Sequence, residues 1–194
     1  MRNDLIDAIK AGDRAKVEEL IAVDPVLVTS ADENGVSAVL TAIYYGQHDL
    51  ANLLAEHSPT LTMHEGASLG DVPTICALGR WPDTITSYSP DGWTPLHLAV
   101  AFGGPDATAM LLELGAPVDQ RSRNSLANTP LHACAAISGS PKIATILLDA
   151  GADVNARQAG DFTPLHAAAA NGSVELVTLL VPRFRRPAIG QEPQ

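Results

Sequence analysis

The chain of 194 residues contains only two cysteines, and aromatic residues make up only 4% of it. Two cysteines cannot form the disulfide framework that stabilises small secreted domains. We expect both of them, Cys76 and Cys134, to be small buried hydrophobic residues. A hydrophobic content of 46% with so few rings is typical of a core built mainly from alanine and leucine.

Basic residues are also scarce, with 12 Lys and Arg against 22 Asp and Glu, so that the formal net charge is −10. Between Gln47 and Gln120 the only basic residue is Arg80. Nucleic-acid binding normally needs a basic stripe that displaces counterions from phosphates, and this charge balance therefore argues against a nucleic-acid partner. A basic protein partner is easier to accommodate.

The sequence has no apolar run of about 18 uncharged residues, the length that a membrane span requires. Residues 1–13 are acidic and amphipathic, and they lack the apolar centre of a secretory signal. We therefore expect a cytoplasmic protein without a membrane partner.

Motifs that commonly mark active sites are missing as well. There is no GxSxG nucleophile elbow, no GxxxxGK phosphate loop and no GxGxxG dinucleotide motif. His48 and His57 have no cysteine or carboxylate at the regular spacing of a zinc site. We expect no metal, no cofactor and no catalytic residue.

The sequence does contain three copies of the tetrapeptide TPLH, at Thr94–His97, Thr129–His132 and Thr163–His166. Threonine is a favoured helix N-cap, and proline at the first helical position sacrifices no hydrogen bond. After each copy comes a short alanine-rich segment, and then a segment with the apolar stripe of a second helix. The copies therefore predict a series of helix pairs.

A repeat of about 33 residues that opens with TPLH is the signature of ankyrin repeats, in which each unit is a β-turn plus two antiparallel helices. The chain resembles this family over residues 1–181. The resemblance implies an all-α solenoid, with short β-turn loops, here called fingers, between the repeats. It also implies a structural role, with hydrogen bonds to their own and adjacent repeats, for the motif residues Thr94, His97, Thr129, His132, Thr163 and His166.

Three further repeats are found when this register is projected towards the N-terminus. Gly12, Gly46 and Gly70 occupy the slot that Gly103 has in the first TPLH repeat. Six repeats are therefore predicted, with starts near residues 3, 37, 61, 94, 129 and 163. We expect them to form one domain, residues 1–187, because stacked repeats contact only their neighbours. Residues 188–194 are predicted to be a disordered tail.

The step from repeat 2 to repeat 3 is short, because these repeats start near residues 37 and 61. So few residues cannot hold two helices and a finger. We predict that the finger between repeats 2 and 3 is missing, which would leave a notch in the row of fingers.

In the ankyrin family, the fingers and the first helices line a concave face, where partners usually bind. In this sequence five of the eight aromatic residues fall in slots on that face, beside acidic residues. Tyrosine and tryptophan often contribute the most binding energy at protein interfaces. The predicted partner-binding residues are Tyr44, Tyr45, Asp91, Trp93, Phe102, Leu126, Ile137 and Phe162.

Packing is an alternative role for some of these side chains. Trp93 and Phe162 could pack against the next finger, and one tyrosine could fill the notch. Trp81 and Tyr88 are expected to cover the core rather than to contact a partner. The long finger RSRNSLAN of repeat 5 is either a specificity element or a tolerated insertion.

These observations favour a monomeric, non-enzymatic adaptor or inhibitor that binds a protein or peptide segment on its concave face. The alternative is a self-associating structural subunit, because the last repeat has an apolar flank where terminal repeats need a polar one. That flank consists of Val174, Val177, Leu180 and Val181.

Overall fold

The computed structural model describes residues 2–184 of the chain. The predicted tail, residues 188–194, and the predicted domain end at 187 lie outside the described residues. The α-helices are α1 Arg2–Ala11, α2 Arg14–Val23, α3 Ala38–Tyr44, α4 His48–His57, α5 Met63–Leu69, α6 Val72–Leu78, α7 Pro82–Thr86, α8 Pro95–Leu98, α9 Gly104–Glu113, α10 Pro130–Ala133, α11 Pro141–Asp149, α12 Pro164–Ala170 and α13 Val174–Leu180.

Twelve of these helices form six antiparallel pairs, α1/α2, α3/α4, α5/α6, α8/α9, α10/α11 and α12/α13, which stack in chain order. The short helix α7 lies between repeats 3 and 4. Over residues 2–184 no β-sheet forms, although an isolated bridge joins Ala31 and Ser37. The predicted all-α solenoid of six repeats is confirmed.

The first helices begin at capped residues. In repeat 4 the Thr94 hydroxyl accepts a hydrogen bond from the His97 N–H at 3.3 Å, and Pro95 follows at the first helical position. Ser37 caps α3 in the same way. These caps satisfy N–H groups that have no partner within the helix, which explains why a polar residue starts each of these helices.

The first helices of repeats 4 and 5 each contain an extra residue. α8 continues as a π-helical turn at Ala99–Gly103, and α10 continues as one at Cys134–Ser138. The insertion displaces the left-handed glycine of repeat 4 to Gly104, with φ of 88°, whereas Gly103 has φ of −81°. The prediction that Gly103 is equivalent to Gly70 is therefore wrong by one residue, because sequence spacing does not reveal a π-helical turn.

Gly103 has a different role, since it permits a close approach between repeats 3 and 4. A Cβ atom on Gly103 would overlap the backbone carbonyl oxygen of Ala67 in α5. A Cβ atom on Gly70 would lie 2.5 Å from the carbonyl oxygen of Gly103. The two first helices therefore meet backbone to backbone, which requires glycine at the crossing point.

The buried side chains of the part that the structure describes form two clusters. One consists of residues from repeats 1 and 2, and the other extends from repeat 3 to repeat 6 and includes Val36 and Leu40. Tyr44 and Phe102 pack against both clusters, with their ring centroids 5.7 Å apart. The boundary between the clusters coincides with the short step between repeats 2 and 3.

Two expectations about burial are wrong in part. Cys134 is buried, but Cys76 is exposed because α6 directs only Ile75 fully into the core. Trp81 is 62% exposed rather than packed on the core. Ile85 of α7, which is 4% exposed, covers the core at this point instead.

Candidate functional site

Within residues 2–184 four fingers connect consecutive repeats, and a backbone hydrogen bond closes each of them. They are finger 1, residues 30–37, closed by Asp32 N to Val36 O; finger 2, residues 87–93, closed by Ser89 N to Trp93 O; finger 3, residues 121–128, closed by Ser122 N to Asn128 O; and finger 4, residues 157–162, closed by Gln158 N to Phe162 O. By contrast, residues 58–62 join α4 to α5 without a turn of this kind. The finger between repeats 2 and 3 is missing, as predicted.

Neighbouring fingers are hydrogen-bonded to each other where the series is complete. The Arg123 N–H of finger 3 donates to the Gly92 carbonyl of finger 2 at 2.8 Å. The Ala159 N–H of finger 4 donates to the Leu126 carbonyl of finger 3 at the same distance. Fingers 2, 3 and 4 therefore form one connected row.

Fingers 1 and 2 are in contact without a hydrogen bond of this kind. A Cβ atom on Gly35 would lie 3.5 Å from the Cβ atom of Pro90. Pro90 has in finger 2 the position that Arg123 has in finger 3, directly after the serine whose N–H closes the finger. Arg123 donates its N–H to the preceding finger, but proline has no N–H to donate. Fingers 1 and 2 therefore approach each other at Gly35 and Pro90, which narrows the predicted notch at this point.

A cavity of about 190 Å³ remains beneath this contact, and we call it the junction cavity. Its walls come from fingers 1 and 2 and from the beginnings of α3 and α5. They include Gly35, Leu40, Thr62, His64, Tyr88 and Pro90.

Two of the motif histidines connect their repeat to the following finger. The Nε2–H of His97 donates to the Asn128 carbonyl at 3.1 Å, and the Thr94 hydroxyl lies 2.7 Å from Nδ1. The Nε2–H of His132 donates to the Phe162 carbonyl at 3.0 Å. Each ring thus joins two repeats through a buried hydrogen bond.

Burial keeps these rings uncharged at neutral pH. It lowers the pKa of His97 to about 4 and also lowers the pKa of His132. A neutral imidazole has one N–H and one lone pair, which match the carbonyl and the threonine hydroxyl on its two sides. Both nitrogens of His97 are therefore occupied by structural contacts.

The other repeats show what the histidine position depends on. In repeat 6, His166 keeps its contact with the Thr163 hydroxyl at 2.8 Å, but its ring is exposed, and within residues 2–184 no further finger supplies a carbonyl. In repeat 2, which has no following finger, Leu40 occupies the histidine position and is 3% exposed. Histidine is thus buried in repeats 4 and 5, where a finger follows, and Leu40 replaces it in repeat 2, where none does; repeat 1 has Ile6 at this position although finger 1 follows.

The predicted partner-binding residues fall into two groups. Those with exposed side chains are Tyr45, Leu126, Ile137 and Phe162, whose exposed fractions are 53%, 47%, 45% and 53%. Those with half-buried side chains are Tyr44, Asp91, Trp93 and Phe102.

The exposed group lies on the fingers and on the ends of first helices. Leu126 and Phe162 belong to the neighbouring fingers 3 and 4, and Ile137 lies in the π-helical turn of repeat 5. The ring of Phe162 is edge-on to His166 of its own repeat, with centroids 5.7 Å apart. Phe162 therefore contacts its own repeat, while about half of its surface is available to a partner.

The half-buried aromatic residues have packing contacts. Trp93 packs against the larger core cluster and lies edge-on to His97, with ring centroids 5.5 Å apart. Tyr44 bridges the two clusters through Phe102. The packing alternative therefore describes Trp93 and Tyr44, Phe102 packs in the same way, and only part of each ring is available to a partner.

Asp91 brings negative charge to the junction between repeats 2 and 3. Its Oδ1 accepts a hydrogen bond from the Ser89 hydroxyl at 2.6 Å. Burial is the main cause that raises the pKa of Tyr44, and the negative charge of the Asp91 carboxylate raises it further. Burial lowers the pKa of His64, while Asp91 and Glu65 act in the opposite direction. The two carboxylates therefore create a negative field around His64.

The arginines of finger 3 stabilise the long finger itself. Arg121 donates to the carbonyls of Ala127 and Arg157 at 2.9 and 2.6 Å, which links finger 3 to finger 4. Arg123 stacks on the Tyr88 ring, with its Cζ 4.0 Å from the centroid. These contacts favour the interpretation of the extra residues as a tolerated insertion, which the two arginines hold in place.

Neither a metal cluster nor a membrane-spanning helix is found among the described residues. Among residues 2–184, no group of three His, Cys, Asp or Glu side chains is placed to hold a metal ion. In the same part of the chain, every helix is too short or too polar to cross a membrane.

Paired helices, β-turn fingers and TPLH caps together define an ankyrin-repeat fold. The family model of ankyrin repeats matches the chain in three overlapping copies, at residues 5–122, 63–158 and 116–189. The chain belongs to the ankyrin-repeat family.

Relatives of the chain include subunits of larger assemblies. The chain is 26% identical over 184 residues to the probable 26S proteasome regulatory subunit p28 of Saccharomyces cerevisiae, covering 87% of the chain and 79% of the relative. It is 28% identical over 180 residues to the target of rapamycin complex 2 subunit AVO2 of the same organism, covering 84% and 42%. It is 34% identical over 122 residues to the ankyrin repeat and SOCS box protein 5 of Mus musculus, covering 63% and 35%. The matches thus span less than half of the last two relatives.

The junction cavity is not apparent from the sequence alone. Two signals for it were present: SAVL has Leu40 where TPLH has histidine, and Pro90 lies at the donor position of finger 2. Their meaning depends on the contacts between fingers, which become apparent only in the folded chain.

Proposed function

We propose that this protein is a non-enzymatic adaptor or inhibitor that binds a protein or peptide partner on its concave face, the face formed by the fingers and first helices. The observation that carries the proposal is the set of half-exposed hydrophobic side chains Tyr45, Leu126, Ile137 and Phe162. Side chains of this kind often anchor protein interfaces. The relatives named as subunits of protein assemblies support the same role.

The proposed partner is basic and is met in the cytoplasm. The chain has a formal net charge of −10, and Asp91 lies among the aromatic residues of the concave face. Opposite charge on a partner accelerates encounter and helps to select it from other proteins.

Affinity capture from a lysate of the source cells tests the proposal. The test variant combines Tyr45→Ala, Ile137→Ala and Phe162→Ala, because these side chains are exposed and their loss should leave the fold intact. The matched control combines Val23→Ala and Val26→Ala, which are 70% and 72% exposed on the first repeat.

We expect wild type and control to retain the same partner and the test variant to lose it, since an anchoring aromatic residue contributes about 2 kcal/mol. Equal capture by all three proteins would contradict binding on the concave face. Circular dichroism of each variant checks that the helices are intact.

A self-associating subunit is the second candidate, favoured by the apolar flank of the last described repeat. Val174 and Val181 are 70% and 52% exposed, whereas Leu180 is fully buried and does not belong to this surface. Sedimentation velocity over a range of concentrations distinguishes the two proposals. A dimer that is lost in a Val174→Asp, Val181→Asp variant would support self-association, and a concentration-independent monomer would support the adaptor.

A further inference from the structure

The junction cavity lies where an ankyrin solenoid with a complete row would have a finger. Leu40 and Pro90 contribute aliphatic surface to its wall, and Tyr88 contributes a ring. Its volume is about 190 Å³. For comparison, an apolar cavity of about 150 Å³ holds a benzene molecule, so this space can hold one long side chain.

The cavity lies between fingers 1 and 2 and is partly open to solvent. They meet at Gly35 and Pro90, and no backbone hydrogen bond between these two fingers is found in the described chain. Because Pro90 has no N–H, the two fingers can separate without leaving a donor unsatisfied. The same movement between fingers 2 and 3 would break the bond from Arg123 to Gly92.

Two carboxylates lie beside the cavity, and one cation, the Arg123 guanidinium, stacks on the Tyr88 ring of its wall. Glu65 is buried and accepts hydrogen bonds from the N–H and hydroxyl of Thr62, which forms part of the wall. Asp91 accepts from Ser89, also in the wall, and among residues 2–184 it has no ion-pair partner. Burial lowers the pKa of His64, so its ring adds no positive charge at neutral pH.

We propose that the junction cavity binds a lysine side chain from an extended segment of the protein partner. The methylene stem packs on Leu40, Pro90 and the Tyr88 ring, and the ammonium group reaches the Asp91 carboxylate at the edge. An aliphatic stem with a terminal cation matches an apolar cavity whose surroundings are acidic.

Lysine suits this arrangement better than arginine does. Ser89 donates to one oxygen of Asp91, and the Tyr44 hydroxyl also interacts with this carboxylate, so fewer of its lone pairs are free for the two parallel bonds that a guanidinium group prefers. An ammonium group needs only a single acceptor in its direction. The inference rests on the proposed function, because it assigns a specificity pocket within the interaction face.

The test is a nuclear magnetic resonance titration of the full-length, isotope-labelled chain with three capped tripeptides. The probes are acetyl-Ala-Lys-Ala-amide, its norleucine analogue and its glutamate analogue. We expect the lysine peptide to produce saturable shifts at Gly35, Leu40 and His64. The norleucine peptide, which has the stem without the charge, should bind about tenfold more weakly, as expected for one close charge pair.

Two variants locate the charge that is recognised. Asp91→Asn should weaken binding of the lysine peptide about tenfold, while Asn preserves the turn before Gly92. Asp106→Asn, at an exposed position on α9, is the matched control and should leave the affinity unchanged.

Equal affinities for the lysine and norleucine peptides would overturn the inference, as would an unchanged affinity in Asp91→Asn. Failure of every peptide to shift the cavity residues would overturn it too. If this occurs while the concave-face variant still loses its captured partner, the cavity assignment fails and the proposed function stands. If the lysine peptide binds but no captured partner depends on Tyr45, Ile137 and Phe162, the proposed function fails instead.

Discussion

The junction between repeats 4 and 5 contains a finger and a buried histidine, whereas the junction between repeats 2 and 3 contains neither. In the first, His97 donates to the Asn128 carbonyl, and finger 3 is hydrogen-bonded to finger 2. In the second, Leu40 is buried at the histidine position, and the rings of Tyr44 and Phe102 bridge the two core clusters.

The comparison shows that loss of a finger is accompanied by loss of the polar groups that would have served it. A buried imidazole without a carbonyl partner would be costly, and so would a finger N–H left without an acceptor. Leu40 and Pro90 remove both groups at the same junction. Hydrophobic packing takes over from hydrogen bonding there.

The largest effect is expected at the junction between repeats 3 and 4, where a methyl group would separate two backbones. Gly103→Ala should destabilise the protein by about 4 kcal/mol, because a clash between backbones cannot be relieved by a change of rotamer. Urea unfolding followed by circular dichroism measures the loss.

Gly139→Ala is the control for this prediction. Gly139 has φ of 61°, but nothing lies within 4 Å of the position of its Cβ. The substitution Gly139→Ala should therefore destabilise the protein by only about 1 kcal/mol, the cost of placing alanine in the left-handed region. Equal effects of the two substitutions would show that close approach is not the reason for glycine at position 103.

Acid should weaken the junction between repeats 4 and 5 through His97. The folded-state pKa of about 4 lies below the ordinary value of 6.5, so the unfolded chain binds the proton first as pH falls. The stability that the neutral His97 ring contributes is fully present above pH 6.5 and is lost as the pH falls from 6.5 to 4. It amounts to about 3 kcal/mol.

Chemical denaturation of wild type and His97→Gln between pH 7 and pH 4 measures this contribution. The variant should show a shallower loss of stability, because the carboxylates titrate in both proteins and only wild type contains His97. Parallel pH profiles would rule out this role for His97.

Exchanging the residues at the histidine position tests the comparison directly. His97→Leu should cost about 2 kcal/mol, since the Asn128 carbonyl is left buried without its donor. Leu40→His should cost a similar amount, about 2 kcal/mol, because repeat 2 has no following finger to accept from the ring. Thermal and urea unfolding report both values, and a neutral result for either would mean that finger and histidine are independent features.

The smallest effect is the coupling between Tyr44 and Phe102. A double-mutant cycle with Tyr44→Leu and Phe102→Leu should give an interaction energy of about 1 kcal/mol, typical of an aromatic pair in contact. Unfolding free energies of the four proteins supply the cycle. Strict additivity would indicate that the two rings bridge the clusters without stabilising each other.

Much of this fold could be predicted because its determinants are local. Thr94 and Pro95 start a helix by capping alone, and the short step near residue 61 leaves too little chain for a finger. The π-helical turns, the overlap at Gly103 and the exposure of Cys76 depend on how neighbouring repeats pack, and spacing within one repeat does not contain that information.

The candidate site was predictable to a lesser degree. The repeat register selects residues on the concave face, but it does not show how deeply each side chain lies. Tyr44 and Tyr45 are adjacent in sequence, yet Tyr44 packs between the two clusters while Tyr45 is 53% exposed. A helix turns by about 100° per residue, so neighbouring residues on one helix meet different surroundings.

The division of the core also determines how the chain responds to mechanical load. Stacked repeats resist stretching through their contacts with nearest neighbours, so an extended solenoid yields first at its weakest contact. Here we expect that contact to be the one that lacks both a finger and a histidine bridge. Under tension we therefore expect a block of two repeats and a block of four repeats to separate at the contact between the Tyr44 and Phe102 rings before either block unfolds.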